Sequence, residues 1–193
     1  MPSSGGHRRG RGSSRGPDDR TVRTLARLFR EHPAWVDAAR HIAEGSESAV
    51  FFSHLPGRRW HLVRRRGQGL LLRGHARNPD FAFRFTPAAV ARLAAAKGDV
   101  GDIAVELFLR ILEPRETRRI GFRIIAPFSR LARRGYVRLL LAAGPKVVVF
   151  GASRGVRTLG QLRRLVGDVR RNEPASWEAI APSAARRRRT ARG

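Results

Sequence analysis

The spacing of apolar residues changes several times along this chain, and each change predicts a new element. Between Thr21 and Glu44 apolar residues recur every three or four positions, with a break at Pro33, which predicts two short helices. Alternating or continuous apolar stretches between Gly- and Pro-containing turns predict strands instead. Four such strands follow, and we expect them to form a meander: Ala49 to Ser53, Trp60 to Arg65, Leu70 to Arg73 and Phe81 to Phe85.

The strand Phe81 to Phe85 passes directly into a helix. Its three phenylalanines alternate with Ala and Arg, the pattern of a strand with one buried aromatic face. Because Thr86 is a good N-cap and Pro87 suits the first helical position, a helix is predicted from Thr86 to Ala96. A second helix, from about Val100 to Leu112, is apolar on nearly every side and should be buried on more than one of them.

Beyond Pro114 the spacing changes again. Arg119 to Ala126 alternates and predicts a fifth strand, and Pro127 then opens a helix that we expect to reach Leu141. This helix has one apolar side and one basic side, as in helices that lie on membrane surfaces. The basic side consists of Arg130, Arg133, Arg134 and Arg138. A last helix is predicted over Leu159 to Arg171.

A length of 193 residues with 41% hydrophobic content suits one domain with a substantial core. We expect this domain to span residues 21–171, between disordered tails at residues 1–20 and 172–193 that contain few apolar residues. The chain has no cysteine, which excludes disulfides and thiolate metal sites and suits a reducing cytoplasm. No apolar run is suited to a secretory signal or a membrane span.

The chain is strongly basic, with 40 Lys and Arg, 15 Asp and Glu and a net charge of +25. Most of the excess lies within the predicted domain, so the folded body should attract polyanions such as nucleic acid or an anionic lipid surface. Nearly all of the cations are Arg, which a GC-rich genome also produces. The charge alone therefore does not choose between these partners.

The order of the predicted elements resembles that of the sterol carrier protein 2 family. In that family four strands are followed by a helix, an apolar helix, a strand and a further helix. Gly57 to Arg64 looks like the family's hairpin entering the second strand, and Asn78 to Leu93 looks like its strand-to-helix junction, with an Asp ahead of the strand. Arg119 to Ile125 resembles the closing strand. The resemblance covers Thr21 to Leu141 and leaves Gly144 to Arg171 unplaced.

This resemblance implies an α+β fold with a curved, mainly antiparallel five-stranded sheet, helices packed on one face and an apolar cavity between the layers. It implies a bacterial, cytoplasmic and noncatalytic protein that binds a sterol, an acyl chain or an isoprenoid or quinone-type lipid. The residues we expect to line the cavity are Phe81, Phe83, Phe85, Val105, Phe108, Leu109, Leu112, Phe122 and Ile124. The four arginines of the basic helix are expected to face anionic headgroups at a membrane surface.

Other functions remain as alternatives. A basic nucleic-acid-binding protein is the main one, although no helix-turn-helix, zinc-finger or aromatic RNA-binding signature stands out. Val147 to Val156 imitates a dinucleotide-binding turn, but Arg157 stands in place of its third glycine. His54 and His61 flank a hairpin without metal-binding spacing, and no GxSxG motif occurs. The sequence therefore favours a binding protein over an enzyme, with no cofactor or metal expected.

Overall fold

The computed structural model describes residues 18–153 together with residues 155, 158, 160 and 161. The elements, in chain order, are α1 (Asp18–Glu31), α2 (Pro33–Arg40), β1 (Glu47–Phe52), β2 (Trp60–Arg65), β3 (Gln68–Arg73), β4 (Phe81–Phe85), α3 (Pro87–Ala95), α4 (Val100–Ile111), β5 (Gly121–Ile124), α5 (Phe128–Arg133), α6 (Tyr136–Ala142) and α7 (Gly144–Ser153). The tail predicted over residues 1–20 overlaps the first turn of α1, and its remainder lies outside the described residues. Residues 172–193 and nearly all of the helix predicted over Leu159 to Arg171 also lie outside them.

The five strands form one sheet in the order β3-β2-β1-β4-β5, with antiparallel pairs except for the parallel pair β1 and β4. The predicted α+β fold with a mainly antiparallel five-stranded sheet is confirmed. The predicted meander is wrong, because the chain crosses back after β3 and β4 pairs with β1. Glu47 fixes this crossing: its carboxylate accepts hydrogen bonds from the backbone N–H groups of Arg77 (2.8 Å) and Asn78 (3.2 Å).

One face of the sheet, called here the inner face, carries most of the large apolar side chains. The strand register places together on it Val50 and Phe52 of β1, Trp60 and Leu62 of β2, Leu71 of β3, the three phenylalanines of β4, and Phe122 and Ile124 of β5. Apolar residues of α1 and α3, among them Leu25, Phe29 and Leu93, are buried against this face and form the main core. Helices α1 and α2 lie over the β3 side of the sheet.

The strand-to-helix junction forms as predicted. The Thr86 hydroxyl accepts a hydrogen bond from the Ala89 N–H at 3.2 Å, and Pro87 occupies the first turn of α3. Helix α4 begins with a reciprocal capping box between Asp99 and Asp102. It packs against α2, α3 and α7, so its burial on more than one side also agrees with the sequence.

The basic helix predicted from Pro127 to Leu141 is instead two helices, α5 and α6, divided at Gly135. Gly135 has a left-handed backbone with φ of 85°, and a Cβ there would collide with the carbonyl oxygen of His41 at the end of α2. The break is therefore required by a close approach of backbones. Amphipathic spacing alone does not show such a contact.

The apolar segment from Val147 to Phe150 lies within helix α7. A dinucleotide-binding turn needs a strand to deliver it, and this segment is helical. The dinucleotide-binding turn suggested by the sequence therefore lacks the preceding strand that the motif requires.

Candidate functional site

Three phenylalanine rings form a continuous aromatic surface on the inner face, at the β5 side of the sheet. Phe81, Phe83 and Phe122, called here the aromatic shelf, have ring centroids 5.2–6.1 Å apart. These separations are typical of favourable aromatic pairs. All three side chains are only half-buried, although they point to the same side as the core residues of the neighbouring strands.

The other residues predicted to line the cavity fall into two groups, those buried in the core and those of α4 that lie away from the shelf. Phe85 is 2% exposed and Ile124 is 7% exposed, so both belong to the packed interior. Phe85 stacks on Phe83 at 5.7 Å and thereby joins the shelf to the main core. These two residues lie beside the shelf on the same face of the sheet, so the half-buried rings are those of Phe81, Phe83 and Phe122.

The α4 residues of the predicted lining do not pack where the sequence placed them. Leu107 and Ile111, which the sequence analysis did not select, are half-buried and pack against the same core as Phe83. Since successive helical residues are about 100° apart, Phe108 lies on a neighbouring side of α4 and stacks on Phe150 of α7 at 6.0 Å. Three further residues of the predicted lining also lie away from the side that holds Leu107: Val105, Leu109 and Leu112.

A buried carboxylate closes one end of the shelf. Asp80, directly before β4, has a fully buried side chain that lies 3.2 Å from the Arg130 Nε and 2.7 Å from the Arg134 Nη1. The Tyr136 hydroxyl donates a hydrogen bond to the same carboxylate at 3.1 Å. These four residues, called here the Asp80 cluster, attach α5 and the start of α6 to the beginning of β4.

The backbone of Asp80 adds to this attachment. Its N–H donates to the Glu47 carbonyl at 2.7 Å, and its carbonyl accepts from the N–H groups of Ile125 (2.9 Å) and Ala126 (3.0 Å). A buried charge is tolerated only when it is paired and hydrogen-bonded, as this carboxylate is. The ring of Tyr136 also packs edge-on against Phe81 at 4.8 Å, so the cluster borders the shelf directly.

Burial, followed by the negative charge of Asp80, raises the pKa of Tyr136 far above the usual range of a phenol. Ionising this hydroxyl would place a second negative charge against the carboxylate in a buried site. Tyr136 therefore remains a neutral hydrogen-bond donor at any physiological pH.

The Asp80 cluster divides the predicted basic face. Arg130 and Arg134 are only 21% and 23% exposed, and their guanidinium groups are directed to Asp80. Arg130 also donates to the Pro79 carbonyl at 2.9 Å and to the Asn78 side chain. Of the four predicted membrane-facing arginines, Arg133 and Arg138 are the exposed ones. The Asp ahead of the strand is visible in the sequence, but its partners Arg130 and Arg134 lie about fifty residues further along the chain.

Two open concavities on the described surface lie away from the shelf. One, of about 490 Å³, lies between the starts of α2 and α4 and the turn from α6 to α7. Lys146 borders it and bridges Asp99 (3.1 Å) and Asp102 (2.7 Å). The other, of about 430 Å³, lies along α1 between the side chains of Arg20, Arg23, Thr24, Ala26, Arg27 and Arg30. Within the described residues there is no group of three or more His, Cys, Asp and Glu side chains suited to a metal ion.

The described fold is thus an α+β domain whose inner sheet face is covered at one side and carries half-buried aromatic rings at the other. No family model and no curated protein matches the sequence. Among solved structures the chain is similar to "UbiJ-SCP2 Ubiquinone synthesis protein", with 15% sequence identity and a TM-score of 0.38, over 64% of this chain and 90% of that one. A likeness of this degree defines no site, so the function has to be argued from the residues of this chain.

Proposed function

We propose that this protein is a noncatalytic lipid-binding protein that holds the apolar part of its ligand against the aromatic shelf. One observation supports this proposal above all others: Phe81, Phe83 and Phe122 are only half-buried on the face of the sheet that normally forms a core. Folding usually buries such rings, because each carries a large apolar area. A ligand with a long or ring-shaped apolar part would complete their burial.

The half-buried residues of α4 support the same site. Leu107 and Ile111 border the core that Phe83 enters, so apolar groups of the sheet and of a helix meet beside the shelf. Covering about 400 Å² of apolar area would contribute roughly 10 kcal/mol before the cost of association. That gross energy is compatible with micromolar or tighter binding of an acyl, sterol, isoprenoid or quinone-type lipid. The finer proposal is that the ligand enters from an anionic membrane, which the basic surface attracts.

The experiment compares a double aromatic substitution in the shelf with a single aromatic substitution outside it. The variant Phe83→Ala with Phe122→Ala removes two of the three shelf rings, whereas Phe108→Ala removes a ring stacked on α7. We expect the first variant to bind a fluorescent fatty acid, parinaric acid, about tenfold or more weakly, and the second to bind it as the parent does. Lipid extraction and native mass spectrometry of each purified protein should give the same order. Loss of binding in Phe108→Ala with full binding in the shelf variant would reject the shelf as the site.

One observation favours the nucleic-acid alternative. Arg20, Arg23, Arg27 and Arg30 recur along α1 at spacings of three and four residues, all are exposed, and they border the concavity of about 430 Å³. A row of arginines on one helix face can follow a phosphate backbone. If this row binds RNA, replacing Arg20 and Arg27 with Gln should reduce the slope of log K against log salt by about two. An unchanged slope, or no RNA binding at low salt, would exclude the alternative.

A further inference from the structure

Helices α6 and α7 form an apolar projection, called here the elbow, in which the two axes are bent by 98°. Within the described residues, no single helix is long and apolar enough to cross a membrane. Helices α6 and α7 reach the length and apolar composition of a membrane span only when they are counted together. Three of its side chains are strongly exposed: Leu141 (71%), Val148 (60%) and Val149 (67%). A surface helix normally directs polar residues outward, whereas this elbow also directs large apolar residues outward.

The opposite side of the elbow is firmly attached to the domain. Ala143 is buried against α2 and α4, and Gly101 of α4 approaches its carbonyl so closely that a Cβ would collide with it. Phe150 stacks on Phe108, and Lys146 bridges the two carboxylates of the α4 capping box. These contacts hold the exposed apolar side chains in place, so their exposure is a property of the packed domain.

The charges around the elbow indicate what covers it. Arg133 and Arg138 are exposed on α5 and α6, and α6 and α7 together contain no acidic residue. A second copy of this chain would bring another charge of +25 against the first and would be repelled. An anionic lipid surface offers both a negative headgroup layer for the arginines and an apolar layer for the leucine and valines.

The lengths of α6 and α7 favour insertion into one leaflet of a membrane. At about 1.5 Å per residue, α6 and α7 are roughly 10 and 15 Å long, well short of a hydrocarbon core of about 30 Å. We infer that the elbow inserts Leu141, Val148 and Val149 into the interfacial layer of a membrane that contains anionic lipid. This inference rests on the membrane contact in the proposed function and moves that contact from the basic face of α5 to the apolar side chains of α6 and α7.

The first experiment uses the absence of cysteine from the chain to place a single label. Val148→Cys would carry an environment-sensitive nitrobenzoxadiazole group, and Ala91→Cys, at an exposed position of α3, would carry the same group as the matched control. Vesicles of phosphatidylcholine with about a third phosphatidylglycerol should shift the emission of the first to shorter wavelength and leave the second unchanged. Doxyl-labelled lipid should quench only the first.

Other occupants of the elbow would give different results. A blue-shifted emission without vesicles that increases with protein concentration would show that a second copy covers it. The same emission at every concentration would show that another part of this chain covers it. Vesicle binding without any change at position 148 would show that charge alone attaches the protein. Each of these results would overturn the inference.

The second experiment separates insertion from charge and from ligand binding. Replacing Leu141, Val148 and Val149 with Ser should weaken vesicle binding about tenfold or more, including the part that resists high salt. Replacing Arg133 and Arg138 with Gln should reduce binding mainly at low salt. Parinaric acid binding should be retained in the serine variant, and vesicle binding should be retained in the shelf variant. The two proposals can therefore fail separately, and full vesicle binding by the serine variant would reject insertion.

Discussion

The two sides of the inner sheet face carry similar side chains but are held together by different interactions. On the β1 to β3 side, Val50, Phe52 and Trp60 are buried beneath α1 and α3 by apolar packing. On the β4 to β5 side, the shelf rings stay half-buried beside a small apolar cluster of Ile124, Ala126 and Leu131, and α5 and α6 are also attached through the buried Asp80 cluster.

This contrast shows how a domain can keep an apolar surface open. Apolar packing closes the space that it uses, because close-packed interiors leave few voids. On the β4 to β5 side the apolar cluster of Ile124, Ala126 and Leu131 is small, and the Asp80 cluster adds an ionic attachment of α5 and α6 at the border of the shelf. The shelf rings stay only half-buried there.

The largest expected loss of stability comes from replacing Phe85 of β4, and Phe83 of the same strand provides the comparison. Phe85→Ala should destabilise the domain by about 3–5 kcal/mol, since it removes a fully buried ring from the covered core. Phe83→Ala, two residues away on the same face, should cost about 1–2 kcal/mol, because its ring is already half-exposed. Chemical denaturation monitored by circular dichroism measures both. Equal losses of stability would mean that the shelf is an ordinary part of the core.

The next effect concerns the ionic cluster. Asp80→Ala should cost about 3 kcal/mol, the lower end of the range for breaking a buried ion pair, because both arginines keep some contact with water. Asp37→Ala is the matched control: it breaks an exposed pair with Arg40, 3.5 Å apart, and should cost less than about 1 kcal/mol. A similar, small cost for both variants in thermal unfolding would contradict the structural role of the Asp80 cluster.

The smallest effect is the loss of one hydroxyl. Tyr136→Phe removes a hydrogen bond to a buried carboxylate and should cost about 1.5–3 kcal/mol at neutral pH. Because the folded state raises the pKa of this phenol, its contribution is fully present below the usual value of about 10 and is lost as the pH rises above it. The parent should therefore lose more stability than the variant in alkaline solution.

The chain contains one tyrosine, so its titration can be followed directly by tyrosinate absorbance. We expect the folded protein to show no tyrosinate until the pH is well above the normal range of a phenol. Ionisation at the ordinary pH of a free phenol, with the protein still folded, would contradict the burial of Tyr136 against Asp80.

The sequence determined the elements of this protein because their signals are local. The three-four spacing of α1, the alternating phenylalanines of β4 and the Thr86 to Pro87 junction each depend on neighbours within a few residues, and all three form as expected. The order of the predicted elements also sufficed for the α+β class. Apolar periodicity even identified the shelf rings, although not which of them would be covered.

Only the tertiary structure decided the partners of these elements, since those contacts join residues far apart in the chain. The return of β4 to β1, the break at Gly135 against His41 and the pairing of Asp80 with Arg130 each depend on such a contact. Burial also depends on contacts between residues far apart in the chain. Phe83 and Phe85 belong to the same alternating pattern, but the packing of distant helices buries Phe85 more completely than Phe83. The tertiary structure also decided which arginines face solvent. Arg130 and Arg134, which the sequence predicts on a basic surface, pair instead with the buried carboxylate of Asp80.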